Sequence, residues 1–319
     1  MKTSTKIWLA IAAALVLLGG AVFVGAMTLA KWDFGSLGAE KFETNTTVIS
    51  EGFRDITIQG ATEDITFLPA EDGACRVVFH ETEKQKHFAK VQAGTLEIGV
   101  IDSRDWQDHL FSTGAPTITV YLPERAYGKL TIVEDTGDAS ISKEFSFENI
   151  DIEVSTGDME CHASVTGTIG IRTSTGGIRL EGASADAVSL KASTGKVEVA
   201  HVTCRGAFDL TVSTGKAVLT EVTCARFMTK GNTGSITCTD VMVDGVMAIE
   251  RTTGDVTFEH CDAGELQVQT DTGDVTGSLR SAKVFIVQSD TGKIDVPESV
   301  TGGKCKITSD TGDIRIRIE

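Results

Sequence analysis

Val268-Gln269-Thr270-Asp271-Thr272-Gly273-Asp274-Val275-Thr276 decides the fold, because the chain repeats it in paraphrase along most of its length. Ten Thr-Gly pairs keep one spacing, with glycines at Gly137, Gly157, Gly176, Gly195, Gly215, Gly234, Gly254, Gly273, Gly292 and Gly312. Successive gaps are 20, 19, 19, 20, 19, 20, 19, 19 and 20 residues. A period near 20 held that long marks a repeat architecture. Apolar residues fall seven and five positions before each glycine, as in Ile150/Ile152, Ile169/Ile171 and Leu266/Val268. They return two and four positions after it, as in Ile178/Leu180, Val197/Val199 and Ile314/Ile316. Both sets step by two, the period of a strand with one buried face. Each copy is therefore strand, tight corner at Thr-Gly, strand and a variable return.

One such copy cannot bury its apolar face, but stacked copies share a continuous core. The predicted fold is all-β, a parallel β-solenoid with about 20 residues per rung, a single-stranded β-helix. Ten rungs at ~4.8 Å make a rod roughly 45–50 Å long. A helical reading fails, since no 3.6-residue apolar spacing occurs and a glycine every 20 residues would interrupt any helix. A propeller needs blades of about 40 residues, and no doubled unit is visible.

Upstream, residues 7–30 carry no charge, and Lys2 and Lys6 precede them. A run of that length suffices for a helical membrane span, and the flanking lysines place the N-terminus in the cytoplasm and the rest outside. It exceeds the apolar region of a cleaved signal peptide, so a retained anchor is expected. The expected organisation is residues 1–31 as cytoplasmic tip and transmembrane anchor, then 32–50 as linker. Residues 51–128 form a degenerate first rung, with Thr62-Glu63-Asp64 standing where later copies have Thr-Gly-Asp, plus an irregular β-cap or insertion. Residues 129–319 form the solenoid.

The chain has 319 residues and a net charge of −16, and the three lysines and absence of acids in residues 1–31 leave −19 for the remainder. Such a surface repels nucleic acid and anionic headgroups. The glycines are read as structural, taking a positive φ at the corner. The competing reading is calcium on Asp271, Asp290 and Asp310, which hold one position in consecutive rungs, with Asp255, Asp274 and Asp313 across the glycine. Stacked carboxylates repel unless hydrated or bridged, and calcium takes oxygen ligands. Lys196, Lys216 and Lys293 interrupt the post-glycine column, and no nonapeptide calcium repeat is present, so no cofactor is expected. The seven cysteines match no zinc spacing. Cys161, Cys238 and Cys305 fall on core positions and read as buried thiols, while Cys204 and Cys224 align in adjacent rungs.

No nucleophile elbow, zinc-protease helix or phosphate-binding loop occurs. With one uncharged N-terminal run, an irregular β-segment and [Ser/Asp]-Thr-Gly-[Asp/Lys]-[Val/Ile] units over residues 50–319, the chain resembles the bacterial "putative adhesin" domain of unknown function found in LiaG-like cell-envelope proteins. That resemblance implies a membrane-anchored, surface-facing solenoid linked to adhesion or envelope stress, and brings no catalytic residues. The expected role is non-enzymatic, with a cell-envelope polymer or a surface or membrane protein as partner. The alternatives are a carbohydrate-active β-helix enzyme, a polysaccharide lyase or hydrolase, and a regulatory partner of a membrane sensor. A monomer is expected from Ile314-Arg315-Ile316-Arg317-Ile318-Glu319, whose outward charges would guard the open edge of a last rung.

Overall fold

The computed structural model describes residues 3–29, 32, 41–104 and 114–319. Residues 33–40 of the expected linker 32–50 lie outside the described residues, and its second half is not a linker, since Phe42–Ile49 is a strand. Thr3–Leu29 is one helix. Among the described residues no helix is long and apolar enough to cross a membrane. From Phe42 onward the regular structure among the described residues is strand.

The strands stack as a parallel β-solenoid. Ser146–Thr156 pairs in parallel with Ala126–Thr136 on one side and Thr168–Thr175 on the other, in the register that places Ile150 on Leu130 and Ile169. Inward columns so formed are closed to solvent: Ile152, Ile171, Leu190, Leu210, Ile249 and Val268 are each at most 3% exposed. All seven cysteines are buried and free, and Cys204 sits directly opposite Cys224 without a disulfide.

Nine of the ten repeat glycines adopt φ between 123° and 153°, and Gly292 lies outside the positive region. That backbone region is essentially glycine-only. A second constraint acts at the same atom. A Cβ on Gly215 would lie 1.8 Å from the carbonyl oxygen of Gly195, and one on Gly195 would lie 1.9 Å from that of Gly176. The amide of nine of these glycines donates to the threonine carbonyl of the neighbouring rung, as in Gly195 N to Thr214 O at 3.0 Å and Gly215 N to Thr233 O at 2.8 Å. At the corner, one rung thus lies too close on the next for a side chain to stand between them. The opposite corner is also left-handed but chemically varied: Gly182, His201, Glu221, Asp240 and His260 hold φ of 67°, 54°, 52°, 52° and 52° in successive rungs. Four residue types share the five positions, with only histidine recurring, so the sequence pattern does not mark it.

Stacking order departs from chain order at both ends. Thr95–Asp102 pairs in parallel with Asp55–Gln59, and Thr117–Leu122 with Asp64–Pro69. The segment expected as an irregular insertion therefore contributes a rung below the first one, with Gly114 at φ 133° near its corner. Beyond it the chain turns antiparallel: Gln85–Gln92 lies on Thr95–Asp102, Cys75–Thr82 on Thr117–Leu122, and Phe42–Ile49 on Cys75–Thr82. These antiparallel strands close one end of the rod.

At the other end Gly303–Thr311 inserts between Val256–Thr272 and Lys283–Thr291. Ile314–Ile318 inserts likewise between Val275–Leu279 and Ile294–Asp295. This corrects the expectation that the C-terminal strand is the open edge. The terminal rung is 283–296 instead, which explains why Phe285, Val287 and Val296, read as core, are only partly buried and Ile294 is exposed. Lys283 ties this rung down. Its buried ammonium reaches past the inserted strand to Asp262 Oδ1 at 2.6 Å, Ala263 O at 2.7 Å and Ser281 Oγ at 2.6 Å.

Replacing Gly215 with Val adds backbone strain and a clash with Gly195. We expect a loss of about 2–4 kcal/mol in unfolding free energy, read by chemical denaturation. An unchanged midpoint would contradict the corner assignment.

Candidate functional site

The acids of the motif divide into two columns with different surroundings. Those after the glycine are hydrogen-bonded into the ladder. Asp138 N donates to Asp64 Oδ1 at 3.0 Å, Asp158 N to Asp138 Oδ1 at 2.7 Å and Gly177 N to Asp158 Oδ1 at 2.6 Å. The same bond joins Asp274 N to Asp255, Asp313 N to Asp274 and Lys293 N to Asp313. Each carboxylate accepts the amide of the equivalent residue in the neighbouring rung, so these aspartates cap the corner that the glycine makes.

The acids before the threonine are exposed. The register puts Asp310 opposite both Asp271 and Asp290. The order is Asp271, Asp310, Asp290, because the C-terminal rung is the inserted one, and this corrects the consecutive order read from the sequence. Asp290 accepts from Gln288 Nε2 at 3.2 Å. Among the described residues no group of three His, Cys, Asp or Glu side chains is arranged to hold a metal ion.

The perturbed titratable groups lie elsewhere, behind the closed end. Glu63 occupies the glycine slot of the first rung: a Cβ on Gly137 would meet the Glu63 carbonyl at 2.0 Å. Its side chain turns inward and is fully buried. Glu63 Oε2 accepts from the Ala61 and Thr62 amides, and Oε1 accepts from Gln85 Nε2 and lies 3.0 Å from His87 Nε2. His87 Nδ1 lies 2.9 Å from Glu81 Oε2, which also accepts the His87 amide, while Asn45 donates to Glu81 Oε1. With a carboxylate on each ring nitrogen, His87 is held as the imidazolium and stacks on Phe79 at 5.4 Å.

Glu134 completes the cluster, its Oε1 accepting the Glu63 amide at 3.1 Å. Its Oε2 is buried and finds no donor, which suits an oxygen carrying the proton itself. Burial and then the charge of Glu63 push its pKa up to about 9. Burial alone would raise Glu63 as well, but hydrogen bonds from His87 and the Ala61 amide outweigh it and bring the value to about 2. Burial opposes the His87 cation, yet its bonds to Glu63 and Glu81 hold its pKa above the ordinary value. The sequence signal for this cluster was an acid at inward-facing positions, Glu63 in a glycine slot and Glu134 in the column that otherwise reads Val154, Thr173 and Ala192.

That same column carries a second buried ionisable side chain. Arg251 donates to Val212 O at 3.1 Å and lies 3.4 Å from Thr229 Oγ1, and burial lowers its pKa. Gly231 makes room for it, since a Cβ there would meet the guanidinium at 1.8 Å.

On the solvent side the strands before the corner form shallow hollows. One, of about 430 Å³, is floored by Gly170 and Ser189 between Asp151 and Asp209. Another, of about 210 Å³, lies among Lys230, Glu250, Gln267 and Lys306. A third, of about 640 Å³, opens after the corner where Gly177 replaces the side chains of Asp158 and Lys196 in its column. Exposed charges around them pair across rungs, as in Lys129–Asp151 at 3.2 Å, Arg172–Asp151 at 3.1 Å and Lys230–Glu250 at 2.8 Å. Such pairs add little stability, but they leave a solvated, mixed-charge face.

A family model described as Toastrack DUF4097 matches residues 53–216 and 206–319. No curated protein matches the chain. Among solved structures, a "putative lipid binding protein" from Parabacteroides distasonis is similar at 14% identity and TM-score 0.47, over 87% of this chain and 98% of that one. A "putative adhesin" from the same organism aligns at 10% identity and TM-score 0.41, over 85% and 98%. A "putative adhesin" from Bacteroides fragilis aligns at 14% identity and TM-score 0.36, over 88% and 98%.

The cluster gives stability a definite pH dependence. Glu63 and Glu81 have lowered pKa values, so their contribution is present above 4.5 and is lost as pH falls. Glu134 and His87 have raised values, so theirs is complete below 4.5 and 6.5 respectively and is lost as pH rises, for Glu134 through about 9. Glu134→Gln keeps the neutral form. Thermal melts should match the parent near pH 5 and exceed it at pH 9, and an equal alkaline loss in both proteins would refute the protonated Glu134.

Proposed function

This chain belongs to the Toastrack DUF4097 family, and on that premise we propose that it is a membrane-anchored, extracytoplasmic interaction protein of the cell envelope, adhesin-like and non-enzymatic. The observation that carries the non-enzymatic reading is the burial of its perturbed carboxylates. Glu63, Glu81 and Glu134 are the groups whose environments resemble those of catalytic acids, with pKa values driven apart as in acid–base pairs. They are 0%, 3% and 3% exposed, beneath the antiparallel cap. A polysaccharide cannot reach them. The exposed post-glycine aspartates are engaged by backbone amides, and so serve the ladder.

Support for the anchor comes from the N-terminal run. On the helix Thr3–Leu29, Trp8, Leu15, Val16, Leu17 and Leu18 are all exposed, and four consecutive apolar positions cover every direction around a helix. A helix apolar all round is stable only when surrounded by other apolar material. The uncharged run 7–30 and the lysines before it favour a single span with the solenoid outside. The partner is then an envelope polymer or surface protein meeting the hollowed, mixed-charge strand face, with envelope stress as the setting in which such a scaffold would act.

The test is cleavable crosslinking of the full chain in its own membranes, followed by retrieval. We expect one glycan or surface protein enriched over membranes lacking the chain. No enrichment would refute the interaction reading. Release of soluble sugars from envelope polysaccharide by the purified chain would refute the non-enzymatic one.

A further inference from the structure

The two ends of the rod differ in a way that selects a partner. At the closed end the outermost strands, Phe42–Ile49 and Gln85–Gln92, run antiparallel to what they cover and carry Glu43, Lys86 and Lys90. Lys86 and Glu43 pair across them at 3.1 Å. Charge on an edge strand discourages further pairing. At the other end the last strand, Lys283–Thr291, pairs only with Gly303–Thr311 among the described residues. Its centre reads Val284-Phe285-Ile286-Val287-Gln288, without a charge. Ile286 is 52% exposed, Ile294 44% and Val300 93%, and the core side chains Phe285, Val287 and Val296 are incompletely covered. A β-prone edge with an uncharged centre over an open core is what natural sheets avoid unless it is paired.

We propose that this end is covered by a second copy of the same chain. The two Lys283–Thr291 edges meet antiparallel about a two-fold axis, making one solenoid of double length. Two observations favour a second copy. A head-to-tail contact is unavailable, because the closed end presents charged antiparallel strands, whereas a two-fold contact joins like ends and closes on itself. Local charge permits it: residues 281–302 hold two lysines against three acids, so they contribute little to the net −16 that would otherwise push copies apart. The area sets the strength. A nine-residue strand at about 3.3 Å per residue, with sheets about 10 Å apart, gives an end face on the order of 300 Å² per copy. That is below what stable interfaces bury, so the edge hydrogen bonds carry the pairing and the dimer is weak and concentration-dependent.

If the anchor proposed above holds, the two-fold sends the membrane ends of the pair in opposite directions, and the dimer joins facing surfaces. That consequence rests on the anchor, while the pairing itself does not.

Sedimentation of the detergent-solubilised full chain, with micelle mass subtracted, should give twice the chain mass at tens of micromolar and the chain mass on dilution. Ile286→Lys, an exposed position, should give the chain mass throughout with an unchanged melting temperature. Ile286→Cys adds an exposed thiol to seven buried ones and should form a disulfide-linked dimer on mild oxidation that the parent does not. A parent that stays at the chain mass, a dimer that survives Ile286→Lys, masses beyond the dimer, or no crosslink at Cys-substituted 286 would each overturn the pairing.

Discussion

Everything in the rod depends on how closely one corner can sit on the next. The Gly195 amide reaches the Thr214 carbonyl at 3.0 Å while its own carbonyl occupies the space that a Cβ on Gly215 would need. Only a residue without a side chain meets both conditions, and it must also hold φ of about +142° at Gly215, as the structure does. Once that contact repeats, the flanking strands fall into register. The residues seven and five before and two and four after the glycine then stack into one dry core, and the aspartate after the glycine finds the next amide. The threonine supplies a carbonyl to the ladder, so the pair acts as a unit.

This division of labour explains why a motif rich in acids yields so little chemistry. A carboxylate that accepts a backbone amide in the neighbouring rung is oriented along the stack and gives its oxygen to the ladder. Asp158, Asp255, Asp274 and Asp313 all have this role. The reactive-looking environment arises where the motif fails. Glu63 in a glycine slot cannot follow the corner outward as the later residues do, and it turns into the core to meet Glu134. Two carboxylates there would repel, and the cluster resolves the conflict by keeping one proton on Glu134 and drawing His87 in as a cation between Glu63 and Glu81. The cap strands carrying Glu81, Gln85 and His87 are thereby fastened to the first rung.

The period, the strand columns and the corner were legible because each rests on local chemistry repeated many times. Stacking order was not. A parallel ladder pairs backbone with backbone, so Gly303–Thr311 fits between its neighbours as well as beyond them, and the 19- or 20-residue spacing is the same either way. Weaker signals were present. Proline cannot donate to a ladder and is confined to edges, and Pro297 follows the short strand of the terminal rung, just as Pro69, Pro116 and Pro123 lie in the rungs at the closed end. Ser112-Thr113-Gly114 repeats the corner motif out of period, ahead of the strand Thr117–Leu122. The second corner left no pattern because Gly182, His201, Glu221 and Asp240 share a conformation and not a chemistry.

Native-state hydrogen exchange at the corner glycines tests the stacking most directly. If rungs are held amide to carbonyl, Gly195, Gly215 and Gly234 should exchange only through large-scale opening. Gly273 and Gly312 should be as slow, because Gly312 lies inside the stack although it is seven residues from the C-terminus. Exchange of these amides at the rate of an exposed turn, or a Gly312 amide that exchanges like a frayed end, would contradict the account.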